Sequence, residues 1–290
     1  MSLDSKYYSE DVKTINEISF NILTNKEIKK MSAVKNDPFG INVPDSYDNY
    51  EPKKGGLVDL RLGTCDPYLP CSTCGLDMME CPGHFGHTDL ADPVFIFGFM
   101  NHLKSMMQCI CLRCSSLLVE DIKEYLNKFK DLNSRLRFRK IREVTKNVNF
   151  CYKCGAPVPK IKKEIKENSG SIRILLEREV GNILIDEKTG ESTEMKKKIK
   201  EYKSPREIYN ILRNLSDIDS YILGFDYNIR PENLIMIRFP VPPICIRPTN
   251  KIDIMSSSTM EDSLTLKIAD IIKSNLRVRS RKDKQITGTD

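Results

Sequence analysis

The sequence predicts an α+β fold, irregular and elongated, stapled by metal, in which helices are joined to a small antiparallel ribbon. Three observations predict it. Nine of the ten cysteines fall between Cys65 and Cys154, several at the two-residue gaps that suit metal ligands. Apolar residues recur at helical period in several separate short stretches, and Pro- or Gly-rich segments break the chain between them. The hydrophobic fraction is 40% and the charged fraction 30%, a balance that favours a large surface over one deep core.

Residues 1–60 read as an N-terminal segment and loop. The stretch from Asn36 to Gly56, NDPFGINVPDSYDNYEPKKGG, is rich in Pro, Gly, Asp and Asn and predicts a loop. Residues 61–160 hold the cysteines. Within them Ile96, Phe99, Met100, Leu103, Met107 and Ile110 share one helical face, and the methionines read as core rather than as a cofactor site. A second short helix is expected over Ile122, Tyr125, Leu126 and Phe129.

Within residues 161–275, SIRILLER and GNILID followed by the turn signal EKTG predict an antiparallel ribbon from Ser171 to Lys200. SPREIYNILRNL then offers Ser204 as N-cap, Pro205 at the first helical position and Glu207 to close a capping box. PVPPICIRP, Pro240 to Pro248, lacks so many amide donors that it reads as an extended, rigid spacer and not as a strand. Leu264, Ile268, Ile271 and Ile272 mark a final amphipathic helix, and residues 276–290 read as a basic flexible tail.

The polar start, MSLDSKYYSE, has no secretory apolar core, so the cysteines imply a reducing, intracellular setting rather than a disulfide framework. No apolar run approaches the roughly 18 to 20 residues of a membrane span. The formal charge of +6 is too mild to define a nucleic-acid binder. Two local patches, RLRFRKIR from Arg135 to Arg142 and the lysine run Lys196 to Lys200, read first as solvated faces, with nucleic-acid contact as the alternative.

Cys71 and Cys74 form a Cys-x2-Cys pair, and Cys81 and His84 a Cys-x2-His pair six residues later. Each gap lets two side chains of one tight turn face the same ion, so the four make a closed tetrahedral zinc set. Gly75 and Gly83 suit those turns. Cys111 with Cys114 and Cys151 with Cys154 make a second, all-cysteine set, with Ser115 and Gly155 at the turn ends. Both read as structural zinc sites; redox thiols and an iron–sulfur cluster are the alternatives.

His87 reads as solvent-facing or as a neighbour of the site, with replacement of His84 as the alternative. Cys65, Cys109 and Cys245 read as small core residues, and His102 as a helix-face residue. No nucleophile has a free histidine beside it and no Gly-rich phosphate loop is present. Asp217 and Asp219 read as a short acidic turn rather than a cation site.

The run DLRLGTCDPYLPCSTCGLDMMECPGHFGHTDLADPVF resembles the N-terminal region of the largest subunit of eukaryotic-type multisubunit DNA-directed RNA polymerases, cellular or from large DNA viruses. ISFNILTNKEIKKMSAVK, CLRC with CYKCG, LGFDYNIRPENLIMIRFPVPPICIRP and EDSLTLKIADIIKSN extend the likeness from about Glu17 to Asn275, most weakly over 160–203. The resemblance implies a zinc-stapled clamp module that closes over DNA and the DNA–RNA hybrid. It implies zinc on each of the two sets, with Cys151 and Cys154 the more variable ligands.

It further implies the second-largest subunit, the rest of the largest subunit and smaller subunits as partners. The setting implied is a nucleus if cellular, or a virion or host-cell replication site if viral. The Asn-Ala-Asp-Phe-Asp-Gly-Asp loop that holds the catalytic Mg²⁺ in that family does not occur in these 290 residues. No catalytic residue is therefore expected here, Mg²⁺ belongs to the complete polymerase, and the chain alone is expected to be inactive and to be an N-terminal piece. The rival reading is a free-standing zinc adaptor or nucleic-acid-binding regulator; the first ligand set closes before the second opens, which disfavours a RING-type interleaved module.

Overall fold

The computed structural model describes residues 16, 18, 22–49, 51–165, 172–185, 192–226, 229–248, 250–251 and 259–287. Seven helices lie among them: α1 Asn25–Met31, α2 Met100–Met107, α3 Ile122–Phe129, α4 Ser134–Thr145, α5 Pro205–Arg213, α6 Asp217–Ile222 and α7 Ser263–Thr287. The strands are β1 Tyr47–Asp48, β2 Glu51–Pro52, β3 Gly86–Phe95, β4 Lys160–Ile165, β5 Ile172–Ile185, β6 Ser192–Lys203, β7 Ile235–Val241, β8 Asn250–Lys251 and β9 Thr259–Met260. They form small antiparallel sheets, three of two strands and one, β4-β5-β6, of three. The mixture agrees with an α+β fold. No helix among the described residues is long and apolar enough to cross a membrane.

The pairing of β3 with β7 spans the longest sequence separation, from Gly86↔Val241 to Phe95↔Ile235. It joins two cores. One gathers Met100, Leu103, Met106 and Met107 of α2 with Phe129, Ile141, Ile208, Leu212 and Ile235, so the methionine stripe is core as the periodicity predicts. The other packs Ile41, Leu57, Leu62 and Val241 against Ile268, Ala269 and Ile272 of α7.

Pro240 lies inside β7, opposite His87, where the sequence predicts a spacer and no strand. Among the described residues only β3 pairs with β7, so the strand's other edge carries no ladder and a missing amide donor there does no harm. The Pro-rich stretch does leave the sheet after Val241 and tightens into a 3-10 turn at Ile244–Ile246.

The ribbon expected over 171–200 forms as β5 and β6, with β4 as an unforeseen third strand. The helix predicted over 96–110 is shorter: a 3-10 turn at Phe97–Phe99 leads into α2. The α5 cap matches its signature. Ser204 Oγ accepts from the Glu207 amide at 3.3 Å, and Glu207 accepts from the Ser204 amide at 2.8 Å.

The expected tail after Asn275 is helical as far as Thr287. Arg, Lys and Gln are good helix formers, and no Pro or Gly interrupts the run before Gly288. The buried side chains of α7 are Thr265, Ile268, Ala269, Ile272 and Asn275, while Leu264, expected on the core face, is exposed. A register shift between Asp89 and Val94 bulges β3 and leaves backbone groups unpaired. α7 satisfies them: Asn275 accepts from the Ala91 amide at 2.7 Å and donates to the Asp89 carbonyl at 2.9 Å. Arg279 adds a bond to the Asp89 carbonyl and Lys282 one to the Ala91 carbonyl.

Replacing Asn275 by Ala strips partners from two strand groups at once. N275A should lower stability by about 1–3 kcal/mol in urea unfolding, against little change for S274A on the exposed face. The Ser204 amide, then Lys203, hold the Glu207 carboxyl down at about 2 from an ordinary value of 4.5. That contribution is complete above pH 4.5 and is lost as pH falls toward 2. In E207Q the acid limb of the stability–pH curve should be flatter between those limits, read by thermal melts.

Candidate metal centres

Three stretches of the chain fold into the same small turn. In each, the amide of the residue after the second cysteine donates to the carbonyl of the first: Gly75 to Cys71 at 2.8 Å, Ser115 to Cys111 at 2.9 Å and Gly155 to Cys151 at 2.9 Å. In each, the first cysteine's amide donates to the next residue's carbonyl, Leu76, Ser116 or Ala156. The repeated closure needs a left-handed residue at its end, and φ is +74° at Gly75, +54° at Ser115 and +65° at Gly155. Ser115 takes that conformation with a Cβ, at some steric cost.

The fourth turn is the Cys-Pro-Gly-His segment. Its Gly83 has φ +78°, and a Cβ there would lie 2.5 Å from Cys245 Sγ and 2.6 Å from Pro243 Cβ. The His84 amide donates to the Leu62 carbonyl at 3.0 Å, which fixes the turn against the 3-10 segment Leu60–Leu62.

These turns bring together both predicted sets. The ligand atoms of Cys71, Cys74, Cys81 and His84 lie within 4.8 Å of one another, and so do those of Cys111, Cys114, Cys151 and Cys154. Cys74 Sγ is 3.6 Å from Cys81 Sγ, which is 3.8 Å from His84 Nε2. In the second set Cys111 Sγ is 3.5 Å from Cys154 Sγ, and Cys114 Sγ is 3.6 Å from Cys151 Sγ. Sulfurs at about 2.3 Å from a tetrahedral zinc would stand about 3.8 Å apart. Both sets could therefore hold zinc with only small adjustments.

Cys71, Cys111 and Cys151 are buried. Burial raises the Cys151 thiol, but the amides of Cys154 and Lys153 and the thiols beside it prevail and bring it down to about 6. Burial pushes the Cys111 thiol up to about 12 despite the amides of Cys114 and Arg113. The second set has its own small core, with Leu118 packed among its cysteines and Val148, Ala156 and Val158 against them.

The other singled-out residues fall elsewhere. His87 is fully buried, where the sequence suggests a solvent-facing group or a neighbour of the site. Its place on β3 turns it under α1's end, and Nδ1 lies 2.8 Å from Ser32 Oγ. Nε2 has no hydrogen-bond partner among the described residues, and burial lowers the imidazole's pKa against the opposing pull of the Asp89 carboxylate 4.0 Å away. Cys109 is buried as expected and Cys65 half-buried, but Cys245 is exposed. The 3-10 turn there buries Ile244 instead.

His102 packs its ring 4.5 Å from that of Phe138 on the α2 face. Asp217 and Asp219 lie in the first turn of α6, capped by Ser216. Asp217 pairs with Arg230, and Asp219 is buried with Oδ1 unpartnered, its pKa raised by burial. Of the lysine run, Lys198 and Lys200 are exposed on β6. Arg137, in the middle of RLRFRKIR, is buried: it donates to the carbonyls of Leu132 and Tyr221 and stacks 4.0 Å over the Tyr221 ring.

A domain family described as RNA polymerase Rpb1, domain 1, matches residues 12–288. The chain is 40% identical over 281 residues to DNA-directed RNA polymerase subunit 1 of Acanthamoeba polyphaga mimivirus, covering 94% of this chain and 18% of that protein. It is 36% identical over 277 residues to DNA-directed RNA polymerase subunit Rpo1N of Thermococcus celer, covering 92% and 28%. To DNA-directed RNA polymerase II subunit RPB1 of Euplotoides octocarinatus it is 34% identical over 276 residues, covering 93% and 54%. The chain thus belongs to the family of RNA polymerase largest subunits, of which it carries the first domain. It spans between about a fifth and about half of the length of these relatives.

The turns predict unequal costs for one chemical change. G75A meets open space and should lose about 1 kcal/mol for its positive φ alone. G83A adds contacts with Cys245 and Pro243 and should lose at least about twice as much. Denaturant midpoints of the two variants test the ranking.

Proposed function

We propose that this chain is the clamp part of a DNA-directed RNA polymerase largest subunit, irregular and elongated, stapled by two structural zinc ions. Cys71, Cys74, Cys81 and His84 hold one ion, and Cys111, Cys114, Cys151 and Cys154 the other. The observation that carries this reading is that two closed four-ligand sets lie inside a single family match running from residue 12 to residue 288. Each set fills all four tetrahedral positions with side chains, so the role is to fix loops and not to activate water.

In this reading the chain works within template-directed RNA synthesis by holding DNA and the DNA–RNA hybrid. Its partners are the second-largest subunit, the rest of the largest subunit and smaller subunits. The setting is intracellular and reducing: a nucleus for a cellular enzyme, a virion or host-cell replication site for a viral one. Nucleotidyl transfer belongs to the complete polymerase. The 290 residues contain no Asn-Ala-Asp-Phe-Asp-Gly-Asp run, so Mg²⁺ and its aspartates come from elsewhere in the assembly.

Metal analysis of the purified chain should give two zincs per chain, falling to one in C74S and in C114S. A chelator should make the eight ligand positions titratable with thiol reagents only where they are cysteines. Zero or one zinc in the parent chain refutes the site assignment. The chain should co-purify with the second-largest subunit when the rest of the assembly is supplied, and alone it should incorporate no nucleotide.

A further inference from the structure

His87 is fully buried on β3 with one ring nitrogen partnered and the other bare. Nδ1 lies 2.8 Å from Ser32 Oγ, which also accepts from the Val34 amide at 3.2 Å. Nε2 has no hydrogen-bond partner among the described residues and stands 4.0 Å from Asp89 Oδ1. That gap is too long for a hydrogen bond, yet short enough for opposite charges to attract strongly away from water. The chain closes over the ring on another side. A Cβ on Gly40 would lie 3.1 Å from His87 Cδ2, and the Ile41 amide donates to the His87 carbonyl at 2.8 Å.

Asp89 already serves a partner. Its carboxylate accepts from Arg238 Nε and, at 3.3 Å, from Nη2, across the β3–β7 ladder where the two residues stand opposite each other. Arg238 Nη1 in turn donates to the Asn25 carbonyl at 2.7 Å, and the Arg238 amide donates to Asn25 Oδ1 at 3.2 Å. Asn25 opens α1, and Ser32 is the cap at its other end. Both ends of α1 are therefore pinned by one group of side chains, His87, Asp89 and Arg238. Between the pins α1 buries only Ile28. A helix of seven residues is too short to stand alone in water, so its docking leans on those pins.

We propose that protonation of His87 releases α1 from the β3–β7 sheet, which makes the buried ring a proton-sensitive latch on the first helix. A proton turns both ring nitrogens into donors. Nε2–H then competes with Arg238 for Asp89 Oδ1, and the pin at Asn25 loosens with it. Nδ1–H requires the Ser32 hydroxyl to accept, so the hydroxyl's own proton must find another partner. Among the charges around the ring, Asp89 on β3 and Asp37 in the loop after α1 favour its charged form, whereas Arg238 on β7 and Lys29 on α1 oppose it. α7 reaches the same node through Arg279, which donates to the Asp89 carbonyl at 3.0 Å.

Burial is the largest influence and sets the ring's pKa below its ordinary value of 6.5. The docked state thus has its full stability above pH 6.5 and loses it as pH falls through the lower, folded value. One proton limits the loss to about tenfold in the docking equilibrium per pH unit. The latch goes beyond the transcription reading and does not depend on it.

The test is hydrogen exchange read by mass spectrometry on the zinc-loaded chain from about pH 7.5 to about pH 5.5, the range in which histidine titrates, with intrinsic rates corrected. Peptides over α1 should lose protection toward low pH by up to about tenfold per unit, while peptides over α5 keep theirs. H87Q should show no such slope, and S32A should lower α1 protection at neutral pH and keep it. The ring signals of the three histidines in NMR give a reading on the parent chain alone: one must titrate below 6.5 in step with α1 exchange. The proposal is overturned if α1 protection is flat in the parent, if H87Q keeps the parent's slope, if α5 loosens together with α1, or if no ring titrates in step. Zinc is measured at each pH; metal loss common to parent and H87Q would give both the same slope and so overturn the latch.

Discussion

The pairing of β3 with β7 is the constraint on which the rest of this structure depends. It ties Gly86 to Val241 and Phe95 to Ile235 across some 150 residues of intervening chain. One end, at Ile235, enters the core around α2, and the other, at Val241, enters the core under α7. A Cβ on Gly86 would lie 2.7 Å from Leu62 Cδ2, so the strand starts where the 3-10 segment Leu60–Leu62 crosses it. The Cys-Pro-Gly-His turn leads straight into β3, and the Pro-rich turn leads straight out of β7. The two meet at Gly83, beside Cys245 and Pro243.

Short elements leave many backbone groups without ladder partners, and buried groups of that kind are costly. Here long polar side chains supply the donors. Arg247 is fully buried and donates to the carbonyls of Leu57 and Pro242 and to Thr265 Oγ1, binding the Pro-rich turn to α7 and the 57 loop. Burial lowers its pKa, yet a guanidinium far above neutrality stays charged. Arg137 does the same for the carbonyls at the ends of α3 and α6, and Asn275 for the bulge in β3. The two four-ligand sets could serve loops in the same way if each holds a metal ion. The second set has only Leu118 and a handful of neighbours as its core.

Charge follows the same division of labour. Two arginines that serve the fold, Arg137 and Arg247, are buried against backbone carbonyls, while other cations, among them Arg135, Arg139 and Arg142 of α4, are exposed.

Much of the candidate site was legible in the amino-acid order. Cys-x2-Cys and Cys-x2-His gaps act within one turn, so both ligand sets, the α5 cap and the β5–β6 ribbon could be read directly. α4 was not, since Leu136 and Phe138 alternate with arginines in the manner of a strand. The strand role of Pro240 was hidden because a free sheet edge is a property of the assembled sheet. Burial of His87, exposure of Cys245 and the sorting of Arg137 from Arg139 and Arg142 also required the fold. The sequence by itself determined which residues share a turn and what metal chemistry they offer, because those effects are local. Only the tertiary structure decided which cations are buried and which strands meet across 150 residues, because those depend on packing between distant segments.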